Sequence, residues 1–294
     1  MKNAYVEITN ICNLDCEFCP GHKRAYRHMD PEEFDIIAKR LSGKVENLFL
    51  HIMGEPLLHP KLKRIFETVD EMNFNVKLTT NGSVIMDKLD ILCSSKNLKT
   101  VCISLHSFEG NSMGNMVMLK LKKYLEGCIT AAEKLAKSGK FVVLRLWNLD
   151  GDSKKKSQNS LNGAILKELE KAFPPSREEW VKNHRGVRIA THIFIEWGER
   201  FDWPDITEAP IEVEPFASEY GSDKCQALLT QIGILCDGTV VPCCLDRNGD
   251  IPLGNIFESS LDEILSGQRA KKMKEAMEHH RFIEPLCHTC GFRR

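Results

Sequence analysis

Twelve cysteines in a chain of 294 residues are the groups here that could do chemistry. Structural disulfides are rare in a reducing compartment, so metal or redox chemistry is the first explanation. Cys12, Cys16 and Cys19 cluster near the start, and Cys225, Cys236, Cys243, Cys244, Cys287 and Cys290 gather near the end. Only Cys93, Cys102 and Cys128 lie between, in apolar or helical surroundings where a free cysteine is usually a small buried hydrophobe. In Cys12-Asn-Leu-Asp-Cys16-Glu-Phe-Cys19 three thiolates can converge from one loop. A cubane iron–sulfur cluster usually takes about four, so one iron would be left open for something else. Zinc is the competitor, with His22 or His28 completing a site of three thiolates and one imidazole. The spacing favours iron–sulfur, because zinc knuckles pair cysteines two apart.

The elements that must position these groups follow a βα rhythm. Short β-rich runs, Ala4–Thr9, Asn47–Ile52, Asn75–Thr80, Thr100–Leu105, Phe141–Trp147 and Val187–Ile195, alternate with amphipathic stretches starting at Pro31, Pro60, Met86, Gly114 and Ser160, the pattern of a parallel sheet. Six such units are too few for a closed barrel, which needs about 250 residues. The expected fold is therefore α/β, a partial (β/α)6 barrel over residues 1–197. The first cysteine loop would lie at the C-terminal edge of its sheet, where active sites form in such folds.

Gly151–Ser160 and Pro174–Gly186 read as loops. Residues 198–224, rich in proline and acids, read as a linker packed down by Phe201, Trp203 and Tyr220, with Trp197 just before it. Residues 225–294 read as a small cysteine-bearing module, with a hairpin over Gly233–Pro242 turning at Asp237-Gly238 and a helix from Leu261 to Met277.

Strand alternation leaves Val101, Ile103 and Leu105 on one apolar face and Cys102, Ser104 and His106 on the other. Arg145 shares a face with Val143 and Trp147 and needs an anionic partner there. Arg188, Ala190, His192, Phe194 and Glu196 are expected on one face of the sixth strand, paired with one another or working on a ligand. Of these, Glu196, with His106 from the fourth strand, is the candidate substrate contact.

The first loop, with Phe18 inside it, resembles the Cys-x3-Cys-x-aromatic-Cys signature of the radical S-adenosylmethionine (radical SAM) superfamily. Gly54-Glu55-Pro56 looks like that superfamily's Gly-Gly-Glu-Pro segment, which contacts the methionine amino group, with Met53 in place of the first glycine. Thr79-Thr80-Asn81-Gly82 and Ile103-Ser104-Leu105-His106 also resemble its strand ends. By this resemblance Cys12, Cys16 and Cys19 hold a [4Fe–4S] cluster, and Phe18, Gly54, Glu55, Pro56, Asn81, Ser104 and Arg145 serve S-adenosylmethionine, Ser104 and Arg145 at its carboxylate. Cys225, then Gly238-Thr-Val-Val-Pro-Cys243, Gly254-Asn255-Ile256 and Cys287-His-Thr-Cys290 resemble the twitch module, the shortened SPASM extension. Cys225, Cys243, Cys287 and Cys290 would be the ligands of one auxiliary cluster, the chain stopping at Arg294. Zinc suits four thiolates as well. Cys236 and Cys244 remain as packing residues, substitute ligands or hydrogen donors.

The resemblance implies reductive cleavage of S-adenosylmethionine, hydrogen abstraction from a small-molecule or peptide substrate, and an electron donor such as flavodoxin or ferredoxin. A fully ligated auxiliary cluster favours a net oxidation. The alternatives are a redox-neutral epimerase, with Cys236 or Cys244 as donor, and an iron–sulfur or zinc sensor. The absence of a leader-binding domain before Cys12 weighs against a peptide. Net charge −1 and 28% charged residues give no sign of a nucleic-acid partner. No apolar run is long enough to span a bilayer and the N-terminus lacks a signal-peptide core, so a cytoplasmic location is expected.

Overall fold

The computed structural model describes residues 1–108, 111, 117–147, 161–183, 186–198, 201–209, 216–217 and 225–293. The loop expected at Gly151–Ser160, the helix start expected at Gly114, and Tyr220 lie outside them. The chain divides into two compact units: Met1–Ile11, Pro20–Asn75 and Phe201–Arg294 form the first, Cys12–Cys19 and Val76–Arg200 the second.

The first unit opens with β1 (Asn3–Val6), α1 (Pro31–Leu41), β2 (Asn47–Phe49) and α2 (Leu62–Met72). The second contains β3 (Asn75–Thr80), α3 (Ile85–Ser94), β4 (Leu98–Ser104), α4 (Val117–Lys137), β5 (Phe141–Trp147), α5 (Asn162–Ala172), β6 (Val181–Asn183), β7 (Gly186–Ala190) and β8 (Ile193–Gly198). The chain then returns to the first with β9 (Phe216–Ala217), β10 (Gln231–Ile234), β11 (Thr239–Val241), β12 (Gly254–Asn255), α6 (Leu261–Ser266), α7 (Gln268–Glu278), β13 (Arg281–Phe282) and α8 (Pro285–His288).

Local chemistry explains the element ends. Asp30 and Glu33 form a capping box around Pro31 at the start of α1, and Phe34, Ile37, Ala38 and Leu41 turn its buried stripe inward, as helical spacing requires. In the first unit β1 lies between β2 and β10 and is parallel to both, in register Asn3↔Gln231 through Val6↔Ile234. β11 and β12 continue the sheet antiparallel. The expected hairpin is present: Leu235 N donates to Thr239 O at 2.9 Å, and Gly238 takes φ +84° at the turn, a conformation that suits glycine. Phe201 packs against Trp203 and Phe292. In the second unit β3, β4, β5 and β8 run parallel, and β7 and β6 add antiparallel at the far edge.

Four expectations need correction. Val187–Ile195 is not one strand. Thr191 and His192 form a turn, with His192 at φ 62°, and reverse the chain so that β7 pairs antiparallel with β8. The expected row from Arg188 to Glu196 is therefore folded back on itself. Arg188 lies opposite Phe194, and His192 sits against Phe141 at the start of β5. Pro174–Gly186 is not all loop, since it contains a 3-10 turn at Arg177–Glu179 and β6. Within the stretch expected as linker, β9 pairs with β13. The helix expected over Leu261–Met277 breaks at Gly267, whose N–H bonds back to Ile264 O. No helix among the described residues is long and apolar enough to cross a membrane.

Asp246 closes the turn that follows Cys243 and Cys244. It is fully buried and accepts the N–H groups of Asp250 at 2.8 Å and Ile251 at 2.9 Å. Asp246→Ala leaves both without acceptors, and the expected loss, about 1–3 kcal/mol, is read as a fall in the denaturation midpoint.

Candidate functional site

In the second unit the first cysteine loop is held by two asparagines. Asn81, just past β3, donates from Nδ2 to Asn13 Oδ1 at 3.0 Å and lies 3.9 Å from Cys12 Sγ. Its own backbone is fixed by Tyr124, whose hydroxyl donates to Asn81 O at 2.7 Å. Asn111 donates from Nδ2 to Cys16 Sγ at 3.2 Å and to Ser107 O at 2.6 Å, and accepts from Asp15 N at 3.0 Å. Cys19 N donates to Cys16 O at 2.8 Å, which curls the loop. The Cys16 thiol is pushed up to about 11 by burial, with Cys19 and Cys12 adding repulsion.

The ends of β4 and β5 carry an aromatic group over this loop. Phe18 meets Trp147 edge-on at 4.9 Å and His106 at 5.4 Å, and His106 lies 4.1 Å from Trp147. His106 stands in a 3-10 turn just past β4, its Nδ1 3.2 Å from Arg145 O. Ser104 ends β4, half-buried. Register places Ser104 beside Arg145 and Arg145 beside Glu196, and Arg145 pairs with Glu196 at 3.2 Å, both about one-third exposed. Glu196 is thus an anionic partner of Arg145. Cys102 shares this neighbourhood, its thiol pushed up by burial while Arg145 opposes the shift.

In the first unit Gly54 takes φ +74°, and a Cβ there would lie 2.6 Å from Thr9 O, so the close backbone approach requires glycine. Glu55 is buried, its N–H donates to Ile11 O at 2.9 Å, and its carboxylate caps the 3-10 turn Pro56–Leu58 through Leu57 N at 3.0 Å. Just past β1, Glu7 has no exposed surface. It accepts from Met53 N at 3.1 Å, Arg24 at 2.7 Å and Cys236 N at 3.1 Å. Cys236 is buried, and its thiol donates to Glu7 O at 3.0 Å. His22 Nε2 lies 2.9 Å from Asn10 O, and His28 packs on His59.

The second cysteine set also gathers in the first unit. Cys243 feels Cys244, Cys287 and Cys225; Cys244 feels Cys290 and Cys225 and is hydrogen-bonded by Tyr5, and burial pushes its thiol up to about 12. The structure thus groups Cys244 with the expected four and leaves Cys236 bonded to β1. Among the described residues no three His, Cys, Asp or Glu side chains are close enough to hold a single ion. What fits a cluster is the donor set. Grouped, half-buried thiols repel one another as thiolates, and soft, iron-bearing cationic centres remove that repulsion.

The model of the Radical SAM superfamily matches residues 6–161, more than half of the chain. The chain belongs to the radical SAM superfamily. An iron–sulfur cluster-binding domain of the SPASM type matches residues 225–291. The cofactors of this radical SAM chain are accordingly S-adenosylmethionine with a [4Fe–4S] cluster, and further iron–sulfur in the SPASM region. The sporulation killing factor maturation protein SkfB of Bacillus subtilis is 24% identical over 92% of this chain and 66% of its own length. The chain spans only 26% and 36% of the first two curated relatives it matches. Among solved structures, BtrN with AdoMet and 2-DOIA aligns over 99% of this chain and 92% of its own, at 16% identity and TM-score 0.52. Streptococcus suis SuiB bound to precursor peptide SuiA aligns over 99% and 69%, at 16% and TM-score 0.57. These likenesses show the fold, the α/β partial barrel of the radical SAM group with a cysteine-bearing C-terminal region.

Sequence reasoning missed Glu7 and Asn111, and placed Trp147 on the face of Arg145 without giving it a role. Glu7 carried a signal, a lone acid within the apolar run Val6-Glu7-Ile8; Asn111, 95 residues from Cys16, carried none. Hydrogen bonds to cluster sulfurs tune reduction potential. Asn111→Ala removes a donor that favours the more negative, reduced state, so the first cluster's midpoint in a redox titration should become more negative. Glu7→Ala leaves Arg24 largely buried without its partner and should cost about 3–5 kcal/mol, measured by chemical denaturation.

Proposed function

We propose that this radical SAM chain cleaves S-adenosylmethionine reductively, takes hydrogen from an unactivated C–H of its substrate and completes a net oxidation. The observation that carries the oxidative reading is the grouping of Cys225, Cys243, Cys244, Cys287 and Cys290, because that many thiols can ligate every iron of a cluster and leave none open to substrate. Bound, the cofactors supply a 5′-deoxyadenosyl radical and an electron sink. The residues supply the rest. Cys12, Cys16 and Cys19 bind the first cluster, with Asn111 and Asn81 orienting the loop. Phe18, His106 and Trp147 exclude water above it. Arg145 and Ser104 take the carboxylate of S-adenosylmethionine, and Glu196, holding Arg145 in place, is left to face substrate together with His106.

A redox-neutral epimerase needs a thiol that reaches the substrate radical. Cys236, buried and committed to Glu7 O, is poorly suited to that. A sensor would have no use for the Ser104, Arg145 and Glu196 array. Peptide substrates are supported by SkfB as a maturation protein and by SuiB with its precursor peptide; BtrN with 2-DOIA supports a small molecule.

Anaerobically reconstituted protein should bind about eight irons, falling to about four when Cys12, Cys16 and Cys19 are replaced by alanine. An unchanged count would sink the ligand assignment. With Cys287→Ser and Cys290→Ser together, 5′-deoxyadenosine should still form while oxidised product stops, since abstraction precedes electron loss. Normal product from that variant would remove the electron-acceptor role.

A further inference from the structure

The second unit holds a cavity of about 480 Å³ between the N-terminal half of α4, the start of α3 and the first cysteine loop. Leu14 of that loop lines it, and so does Asn111, whose amide is 3.2 Å from Cys16 Sγ. The wall of the cavity is therefore one hydrogen bond from a residue assigned to the first cluster. Met86, Phe108, Tyr124 and Gly127 make most of the rest apolar. Among the described residues the only charged groups in the lining are Lys120 and Lys123. Lys122 is exposed beside them, and the same end of α4 shows Met118 and Leu119 to solvent at 60% and 64%, with Met86 on α3 at 43%. Asp15 and Glu17 of the loop, Asp87 and Asp90 of α3 and Glu126 of α4 are the exposed acids described in the loop, α3 and the N-terminal half of α4, and none of them lines the cavity, so the described rim carries only lysine charge.

An apolar hollow with a cationic rim suits a partner surface that offers an apolar side chain ringed by carboxylates. Electrons for the first cluster must come from outside the chain. The geometry points to this face of α3 and α4 as the docking surface for an acidic one-electron carrier protein, which delivers its electron through the loop wall formed by Leu14 and Asn111. This inference rests on the proposed function. In the transfer the carrier is oxidised by one electron and the cluster reduced by one, and no bond or proton moves. Lysine pairing with the carrier accelerates encounter and is screened by salt.

The test uses reconstituted full-length protein with an acidic flavodoxin, reduced by two electrons, as probe, and dithionite as a small chemical reductant. In the K120E/K123E variant, association with flavodoxin, followed by titration at low ionic strength, should weaken at least tenfold. Cluster reduction by flavodoxin, followed by absorbance, should slow to a similar extent, and reduction by dithionite should match the unaltered protein. Raising the salt should shrink the difference between the two proteins. Met86→Asp should reproduce the pattern from the apolar side. Equal flavodoxin kinetics in the charge-reversed variant would overturn the docking site, as would equal slowing with both reductants, because that reports a disturbed loop. Failure of the unaltered protein to make 5′-deoxyadenosine with dithionite would instead strike the proposed function, so the two failures are distinguishable.

Discussion

Glu7 accepts hydrogen bonds at its two carboxylate oxygens from the backbone just before Gly54, from Arg24 and from the start of the hairpin turn at Cys236. A carboxylate with no exposed surface is costly unless each lone pair is met and the charge is balanced. Three distant stretches of chain therefore have to arrive together. The amide of Met53 can reach Glu7 only if Gly54 makes its tight passage over Thr9, and Cys236 can do so only if β10 lies beside β1. The C-terminal region is accordingly part of the first unit's sheet. Arg24 adds a tie of its own, donating through Nε to Arg247 O at 2.7 Å, and Arg247 in turn bonds Pro204 O and Asp205.

Much of this was legible because it depends on short-range chemistry. The cysteine spacing, the Asp30-Pro31 helix start and the Asp237-Gly238 hairpin are each determined within a few residues, and the strands through β5 follow from apolar alternation. The sixth strand failed for a physical reason: Val187 and Ile189 before the turn and Ile193 and Ile195 after it keep the same alternation, so parity passes through Thr191-His192 without a mark. No glycine or proline announces the reversal. Strand parity asked for an anion beside Arg145, and Glu196, expected to meet substrate, is the side chain that pairs with it, both about one-third exposed.

Parts of the site were illegible because they are made by pairs distant in sequence. Asn111 on Cys16, Phe18 against Trp147 and Tyr5 on Cys244 each join a residue that the cysteine segments mark to a distant partner whose type is ordinary taken singly. The adjacent Cys243 and Cys244 show the same limit. In a strand they would point to opposite faces, but Pro242 follows the end of β11, and the backbone bends into the turn closed by Asp246, so both thiols can face the cysteine group.

That group is also pinned by contacts that need no metal. Thr289, between Cys287 and Cys290, accepts from Asp205 N at 3.0 Å and donates to Asp205 O at 3.1 Å. Arg269 holds Glu284 through two bonds, at 2.8 Å and 2.7 Å, just ahead of α8, and β13 is paired with β9. In small metal modules, binding free energy and folding free energy are one quantity, so loss of ligands unfolds the module. Here the cysteine segment is fastened on both sides by neutral and ionic hydrogen bonds, and the hairpin beside it is fastened to β1 through Glu7. None of these side-chain bonds uses a thiol, so replacing Cys287 and Cys290 leaves each of them its donors and acceptors.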